Sequence, residues 1–395
     1  MKKKKIIILI LPIKLRQIDL DRYDVKELEK ISKAKFEIHE IVNFLYPGFE
    51  KAFLNTIKDK RLKSFDSFNL WKKDFNKILK KYNEILVIKN VHSDNLTCLR
   101  LNLFLQKNKK IKVLEFSNLQ SPINVKKNFL KQIKILFFTA IFNPKKILVH
   151  IKRKPFHYLS KIFNIEPNFI IKTGKKFNNI HKTAKIISGN SYDYNMYLKT
   201  KSKLISKKNY GLFLEAPSPL YLGDSYFDGV KLKDLGTPEK WFKSLNKFFN
   251  LIEKYKKIKI KIVAHPKVKH SSKYPSYYFG REVLTNRLPE VAKNSKIFIS
   301  RDSVGSSFAA IYNKPVVFIH TDEFKEKKNN FLENQNYIAD SFGTKAINID
   351  NEFSQKNINN LFNFKKNKYK EYIENYLSER KDKKNNYKIL NELLK

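Results

Sequence analysis

Residues 295–319, SKIFISRDSVGSSFAAIYNKPVVFI, decide the predicted fold of this chain. Two short apolar runs, 296–300 and 316–319, have the length of buried strands, and a polar turn at 301–307 leads into a helix over 308–312. This order predicts a compact βαβ unit. The first turn of such a helix offers unpaired N–H groups and a positive dipole end, which favour a phosphate group. An ordinary N-capped helix of an α/β domain is the alternative interpretation.

The length and the charge of the chain set the broad class. A chain of 395 residues with 42% apolar residues has room for two domains. Its net charge of +44 favours phosphates, nucleic acid or an anionic membrane surface as partners. Only nine of the 81 basic residues are Arg, and the sequence contains no zinc-finger, helix-turn-helix, RRM or KH signature, so we expect no nucleic-acid partner. A general bias towards Lys-rich composition remains an alternative origin of the charge.

The single cysteine and the N-terminal apolar run bear on the compartment. Cys98 has no second cysteine to pair with, which excludes disulfides and cysteine zinc sites and fits a reducing compartment. The apolar run at 6–13 is short and lacks a small-residue cleavage site, so it predicts a first strand rather than a signal peptide. No apolar run has the length of a transmembrane helix. We therefore expect a cytoplasmic protein, in peripheral contact with the inner face of the membrane at most.

Apolar runs and helical patterns alternate along the chain, which predicts a doubly wound α/β fold. The predicted strands of the first half are residues 3–13, 35–42, 85–88, 110–116, 147–151, 169–171 and 184–188, with helices at 24–32, 52–58, 68–82 and 96–105. A Lys/Phe-rich helix at 125–142 packs on the core or docks on a membrane surface. The predicted strands of the second half are residues 210–215, 259–264, 281–284, 296–300, 316–319 and 346–349, with a long loop at 216–236 and a helix that Thr237 and Pro238 begin.

A polar connector at 199–208 divides the chain. It predicts one α/β domain over 1–200, a second α/β domain over 201–355, and charged helices over 356–395.

Three polar segments follow strands of the predicted second sheet. They contain His265 and Lys267, Thr285 and Arg287, and the turn at 301–307. Because ligands of open α/β sheets bind outside the carboxyl ends of the strands, these segments should point into one crevice. Their cations, hydroxyls and helix start are suited to a diphosphate.

The same segments resemble a known group of enzymes. The order of Ala264-His265-Pro266, Gly280-Arg281 with Thr285, Ser303-x-x-Ser306-Ser307 and Lys314-Pro315 resembles GT-B-type transferases of bacterial capsule and lipopolysaccharide biosynthesis. It is also similar to the CDP-glycerol glycerophosphotransferases and the nucleotide-sugar 2-epimerases. In the first half the resemblance rests on the turn at 16–24 and on residues 191–194.

The resemblance implies two Rossmann-like domains facing a cleft, with residues 1–200 facing the acceptor or a membrane and residues 201–355 holding the nucleotide diphosphate. It also implies that the helices over 356–395 pack back on the N-terminal domain, with a helix that only caps the second domain as the alternative. It implies phosphate contacts from His265, Ser303, Ser306 and Ser307, and positive charge from Arg281 and Arg301. The neighbouring Lys267, Thr285 and Asp302 belong to the same predicted donor site. The Glu-x7-Glu pair of retaining enzymes is absent near residue 301, so the donor and the stereochemistry remain open.

The sequence predicts a reaction that needs no metal and no other cofactor. Asp19-Leu20-Asp21 spells an Asp-x-Asp motif, but Arg16 and Arg22 flank it, and a helix-capping turn is the better interpretation. A basic cradle can then stabilise the leaving group. An inverting transfer also needs a general base, for which Asp19, Asp21 and His92 at strand ends are the candidates. The motifs of serine hydrolases, dehydrogenases and P-loop NTPases are absent.

These features predict a glycosyltransferase that moves a sugar or a polyol phosphate from a nucleotide-activated donor to a surface polysaccharide or a lipid-linked glycan. An anionic membrane surface is a possible further partner. A nucleotide-sugar epimerase on the same fold is one alternative. A non-catalytic scaffold that binds an anionic polymer or a membrane is the other.

Overall fold

Two parallel sheets organise the protein. The computed structural model describes residues 4–48, 56–117, 122, 144–177, 181–200, 209–216, 237–266, 274–285, 287–323 and 331–394. The strands in these ranges are β1 Lys5–Leu11, β2 Lys35–Glu40, β3 Leu62–Ser64, β4 Glu84–Lys89, β5 Ile111–Phe116, β6 Phe169–Thr173, β7 Lys185–Gly189, β8 Tyr210–Leu214, β9 Lys259–Val263, β10 Val283–Leu284, β11 Phe298–Ser300, β12 Val316–His320 and β13 Ile347–Asn348. The strand order is β3-β2-β1-β4-β5-β6-β7 in the first sheet and β10-β9-β8-β11-β12-β13 in the second.

Helices cover these sheets and follow the second one to the C-terminus. They are α1 Gln17–Arg22, α2 Val25–Ser32, α3 Val42–Leu45, α4 Phe68–Lys81, α5 Leu96–Lys107, α6 Pro144–Ile162, α7 Tyr192–Thr200, α8 Pro238–Lys256, α9 Tyr274–Tyr277, α10 Leu288–Val291, α11 Ser307–Tyr312, α12 Phe331–Ser341, α13 Gln355–Asn360, α14 Lys366–Tyr372 and α15 Asn386–Glu392. Short 3-10 turns at Ala292–Asn294 and Val304–Ser306 and a π-helical turn at Ile373–Leu377 connect some of them.

The strand order locates the two places where a ligand is expected. In each sheet the chain starts in the middle, runs to one edge, and then returns to continue on the other side. The reversal lies between β1 and β4 in the first sheet and between β8 and β11 in the second. Crevices outside the carboxyl ends of such strands are the usual ligand sites of this architecture. The predicted fold class, two Rossmann-like units facing a cleft with a helical C-terminal tail, is confirmed.

Continuous apolar runs form the central strands because both faces of each sheet are covered. All residues of β1 from Ile6 to Leu11 are buried, and so are all five residues of β8. In the first unit, Trp71 and Phe75 of α4 pack on one face of the sheet. In the second unit, α8 supplies the corresponding layer. Burial of this kind is the main source of stability of both units.

Several local predictions differ from the structure. Residues 147–151 lie in α6 and not in a strand, although Ile147-Leu148-Val149 have high β propensity. The wider sequence explains this, since Ile147, Ile151, Tyr158 and Ile162 recur at helical spacing. Residues 56–58, predicted as the end of a helix, have no regular structure. The helix predicted at 125–142 and the loop at 217–236 lie outside the described residues. No helix among the described residues is both long enough and apolar enough to cross a membrane.

The chain crosses between the two units twice, and both crossings run side by side. After β7, Asn190 and Ser191 lead into α7, which packs on α10 and α11 of the second unit. The C-terminal segment returns in the opposite direction. Ser191 N donates to Leu377 O at 2.7 Å, and Ser378 Oγ donates to Asn190 Oδ1 at 2.7 Å. Beyond this point the chain packs on the first sheet through α15, which contacts α2.

A buried carboxylate joins these crossings to the first unit. Asp24 lies between α1 and α2 in left-handed backbone conformation (φ 50°) and is fully buried. It accepts hydrogen bonds from Asn195 Nδ2 at 2.8 Å and from Tyr387 N at 3.1 Å, and it forms an ion pair with Lys199. Burial raises the pKa of Asp24, an effect that Lys199 and Asn195 oppose. One side chain therefore holds together α2, α7 and the C-terminal helix.

We predict that Asp24→Ala lowers the free energy of unfolding by about 3 kcal/mol or more. The change leaves the largely buried Lys199 ammonium without this carboxylate and takes away the acceptor of Asn195 and Tyr387. Glu27 also contacts Lys199, at 3.3 Å, but its side chain is 43% exposed. The matched control Glu27→Ala should therefore cost less than about 1 kcal/mol. Urea unfolding followed by circular dichroism measures both variants, and equal losses would contradict this role of Asp24.

Candidate functional site

A cavity of about 430 Å³ lies between the two units, at the two strand reversals. Its walls come from segments that follow β1, β8, β9 and β11 and from the start of α7. The residues that line it are Arg16, Ile18, Asp21, Arg22, Tyr192, Asp193, Leu214, Glu215, Val263, Ala264, His265, Pro266, Leu288, Pro289, Asp302, Ser303, Val304, Gly305 and Phe308. A volume of this size falls within the range of pockets that hold small molecules, about 300–1,000 Å³.

The wall from the first unit carries two arginines beside the carboxyls of Asp21 and Asp193. Arg16 binds Asp19 through two hydrogen bonds, from Nε at 3.0 Å and from Nη2 at 3.1 Å, and both residues are buried. Arg22 is held more loosely, because its Nη1 lies 3.9 Å from Asp19 Oδ1. The Nε of Arg22 is buried and has no hydrogen-bond partner among the described residues. Arg22 is therefore the less tightly paired of the two arginines, and its side chain is 29% exposed.

The wall from the second unit is built on a buried carboxylate that sequence reasoning missed. Glu215 directly follows β8, and its two oxygens accept from His265 N at 2.8 Å and from Tyr278 Oη at 2.5 Å. These bonds fix the backbone of the segment after β9 and so place His265 and Pro266 at the cavity. The signal in the sequence is an acidic residue at the end of an otherwise apolar strand, which is costly to bury unless it has partners.

Only the first part of the turn after β11, residues 302–305, lines the cavity. Asp302, Ser303 and Gly305 line the cavity. Ser306 Oγ donates to Ser303 O at 2.8 Å, and Ser307 Oγ donates to Asp193 Oδ2 at 2.5 Å. Both hydroxyl hydrogens are thus used within the protein. The predicted phosphate contacts from Ser306 and Ser307 require these bonds to be broken, whereas Ser303 already lies at the cavity surface.

The hydrogen bond between Ser307 and Asp193 connects α11 of the second unit to α7 at the cavity wall. Asp193 lies in the first turn of α7, is buried, and lines the cavity. Burial raises the pKa of this carboxyl to about 6, although Ser307 and Arg22 both favour its ionised form. A carboxyl with a pKa in this range can exchange a proton near neutral pH. The resemblance noted residues 191–194, but nothing in the sequence identified Asp193 as a site residue.

The three proposed general bases lie in different environments. Asp21 lines the cavity, accepts from Gln17 Nε2 at 2.9 Å, and has a pKa that burial raises. Asp19 is buried against Arg16 and does not line the cavity. His92 is exposed and also lies outside the cavity lining. Of these three residues, the geometry brings only Asp21 to the place where a ligand would bind.

Arg281, Arg301 and Thr285, three of the remaining predicted binding residues, do not line the cavity. Arg281 binds Glu253 of α8 through Nε at 3.1 Å and Nη2 at 2.7 Å, so its charge is paired with a carboxylate of the helix layer. Arg301 is buried beneath the turn, with its Nε 3.2 Å from Asp302 Oδ1. Thr285 is exposed at the end of β10. Lys267 lies outside the described residues. The expected contributions of Arg281, Arg301 and Thr285 are therefore not supported by their positions.

The described residues also contain a group of three potential metal ligands, away from the cavity. Glu37, His39 and Asp74 lie close together, but Lys63 Nζ is 2.8 Å from Glu37 and 3.0 Å from Asp74. The His39 Nδ1 accepts from Trp71 Nε1 at 3.2 Å, which leaves the ring hydrogen on Nε2, facing Glu37. The lysine ammonium already fills the position of a cation. The cluster is an ion-pair network at the edge of the core, with Glu37 and His39 buried and the Lys63 side chain 40% exposed.

Asp193→Asn should change how stability depends on pH. The folded-state pKa of about 6 lies above the ordinary value of 3.8, so ionisation of the buried carboxyl destabilises the fold as pH rises through this interval. The Asn variant should therefore gain stability relative to the natural protein, on the order of 3 kcal/mol between pH 3.5 and pH 7. Denaturant unfolding at several pH values, with the exposed Asp340→Asn as control, measures this difference. Parallel pH profiles would contradict the account.

No protein-family model and no curated protein matches the chain. Solved structures match it over nearly its whole length. The UDP-GlcNAc 2-epimerase from Methanocaldococcus jannaschii is 12% identical, with 98% of this chain and 99% of that chain covered and a TM-score of 0.47. A putative UDP-N-acetylglucosamine 2-epimerase from Listeria monocytogenes is 13% identical (98% and 95% covered, TM-score 0.48). The wall teichoic acid polymerase TagF is 12% identical (99% and 88% covered, TM-score 0.47). The structural neighbours are thus nucleotide-sugar 2-epimerases and a teichoic acid polymerase, and at these identities the similarity concerns the fold.

Proposed function

We propose that the protein is a GT-B-type glycosyltransferase that acts without a metal ion. It moves a sugar from a nucleotide-activated donor to a hydroxyl of a surface polysaccharide or a lipid-linked glycan. The observation that carries this proposal is the cavity between the two units, whose lining combines Arg22 and His265 with two carboxyls of raised pKa, Asp21 and Asp193. These are the groups that a transfer from a phosphate leaving group requires.

The donor diphosphate is assigned to the cationic side of the cavity. Arg22 donates to phosphate oxygens from the first unit, and His265 and Ser303 face it from the second. A guanidinium stabilises the negative charge that develops on the departing nucleotide, the task that a divalent metal performs in other enzymes. Since each unit supplies part of this binding surface, the donor also favours the closed arrangement of the two units.

Asp21 is assigned the role of general base. The acceptor oxygen forms a bond to the anomeric carbon of the donor sugar, the bond from that carbon to the phosphate oxygen breaks, and the nucleotide leaves with the electron pair. The proton of the acceptor hydroxyl passes to the Asp21 carboxylate. The raised pKa of Asp21 makes it a stronger base than an exposed aspartate. Asp193 lies on the same wall and is held by Ser307, which suits it to orient the sugar.

A nucleotide-sugar epimerase is the second candidate, and one observation favours it. Four carboxyl residues line the cavity, namely Asp21, Asp193, Glu215 and Asp302, which is more than the sequence predicted for the donor crevice. An epimerase removes and returns a proton on the sugar itself, so it needs several acids and bases there. The two functions are separable by experiment. An epimerase converts the donor without an acceptor, whereas a transferase needs one.

We expect a nucleotide-dependent rise in melting temperature when the protein is incubated with UDP, CDP, GDP or CMP in turn. Binding to the folded state stabilises it by mass action. Arg22→Gln should weaken the binding of the effective nucleotide by about tenfold to a hundredfold, because it removes charge-assisted hydrogen bonds to phosphate. Arg100→Gln, an exposed arginine that lies over the Phe68 ring, is the matched control and should bind as the natural protein does.

Two outcomes of this titration oppose the proposal. If none of the nucleotides stabilises the natural protein, the cavity is not a donor site and the non-catalytic scaffold becomes the better account. If a nucleotide binds but Arg22→Gln and Arg100→Gln bind it equally well, the assignment of the diphosphate to Arg22 is wrong.

A further inference from the structure

Helix α6 turns a row of large apolar side chains towards solvent. Ile151, Tyr158 and Ile162 on the helix and Phe163 directly after it are 50–67% exposed. Nine large hydrophobic residues of the described chain are at least 37% exposed, and four of these nine lie within residues 151–163. Isolated exposed apolar residues are ordinary on a protein surface, but a concentration of this kind marks an interaction site.

The exposed side chains share one face of the helix. At about 100° per residue, Ile151, Pro155, Tyr158 and Ile162 fall within an arc of about 60°. Pro155 is also exposed. The partly buried Arg153, Phe156 and Ser160 lie on the opposite side of the helix. We call the outward row, Ile151, Pro155, Tyr158 and Ile162, the α6 face.

Contacts on the inner side fix this orientation. His157 Nε2 lies 3.2 Å from Asp94 Oδ1, in the segment that follows β4. Just beyond the helix, Gln106 Nε2 of α5 donates to Asn164 O at 2.6 Å. The helix is therefore held against the first unit by polar contacts at two places, while the α6 face has large exposed apolar area.

Lysines border the α6 face on both sides. Lys154 and Lys161 flank it on one side and Lys152 on the other, and all three are exposed. The sequence around them strengthens this charge, because residues 116–165 include ten Lys and Arg and no Asp or Glu. An apolar row between cations, in a stretch of sequence without Asp or Glu, is the pattern of a helix that lies in the interface of an anionic membrane.

We propose that the α6 face docks on a bilayer that contains anionic phospholipid, with its apolar row among the acyl chains and its lysines at the headgroups. Charge complementarity alone would also suit a nucleic acid, but a phosphate backbone offers nothing to Ile151 or Ile162. The observations favour lipid for this reason. The proposal concerns α6 and differs from the sequence expectation, which gave this role to residues 125–142. It does not depend on the transfer reaction.

The docking has a geometric consequence. Asp94, which contacts α6, follows β4, and Arg16 at the cavity follows β1. Because β1 and β4 are parallel neighbours, these two segments leave the sheet at the same edge. The segment that contacts α6 through Asp94 and the segment that forms part of the cavity wall therefore share one edge of the first sheet.

Vesicle co-sedimentation of the full chain tests this proposal. The probes are vesicles of phosphatidylcholine alone and of phosphatidylcholine with about 30% phosphatidylglycerol. We expect the natural protein to partition at least about tenfold more strongly to the anionic vesicles. Ile151→Ser/Tyr158→Ser/Ile162→Ser keeps every charge and should lower this partitioning by about tenfold or more. Ile31→Ser/Phe279→Ser removes exposed apolar residues elsewhere and should leave it unchanged within about twofold, as expected if the α6 face carries the apolar contact.

Other occupants of the face give distinct results that overturn the proposal. Equal partitioning of the triple variant and the natural protein would show that charge alone attracts the vesicles. Self-association in the absence of lipid, lost in the triple variant, would identify a second copy of the chain as the partner. A circular dichroism melt of each variant establishes that it is folded, and Lys152→Gln/Lys154→Gln/Lys161→Gln provides a second test. This variant should show a preference for the anionic vesicles that is weaker by about tenfold or more.

Discussion

The buried carboxylate of Asp24 is the contact on which the arrangement of the two units depends. It binds Asn195 and Lys199 of α7 and the backbone of Tyr387 at the start of α15, three contacts from segments far apart in sequence. A buried carboxylate is costly unless such partners surround it, so α7 and the returning C-terminal segment are held in one position. The two sheets do not need the contacts of Asp24 in order to form, because each sheet has its own apolar core.

The contacts of Asp24 also influence which side chains meet at the cavity. Because α7 is held at both ends, Asp193 in its first turn comes to lie against Ser307 of the second unit, with Arg22 and Asp21 on the same wall. The result is a pocket in which a buried carboxyl, Asp193, a partly buried carboxyl, Asp21, and the Arg22 guanidinium share one small volume. Burial costs at such groups are tolerated where function needs them. The ionised carboxyls of the pocket therefore lower the stability of the fold, and the same groups are available for a reaction.

The sequence predicted the sheets better than the site. Continuous apolar runs such as β1 and β8 identify buried parallel strands without any tertiary information. The rule that ligands bind at strand ends singled out Asp21 and His265, and both line the cavity. Arg281 does not line it, because its partner Glu253 is set by helix packing, which no local pattern reveals. Asp193 and Glu215 were missed for the same reason, since their importance comes from residues distant in sequence. In α6, the β propensity of a short run was outweighed by the helical pattern around it.

The central claim is that the cavity between the two units is a donor site to which both contribute. Hydrogen–deuterium exchange of the full chain, with and without a saturating nucleotide or nucleotide-sugar, tests it most directly. The account predicts slower exchange in two separate segments, residues 16–23 of the first unit and residues 302–308 of the second. Protection confined to one unit, or found only away from the cavity, would contradict it.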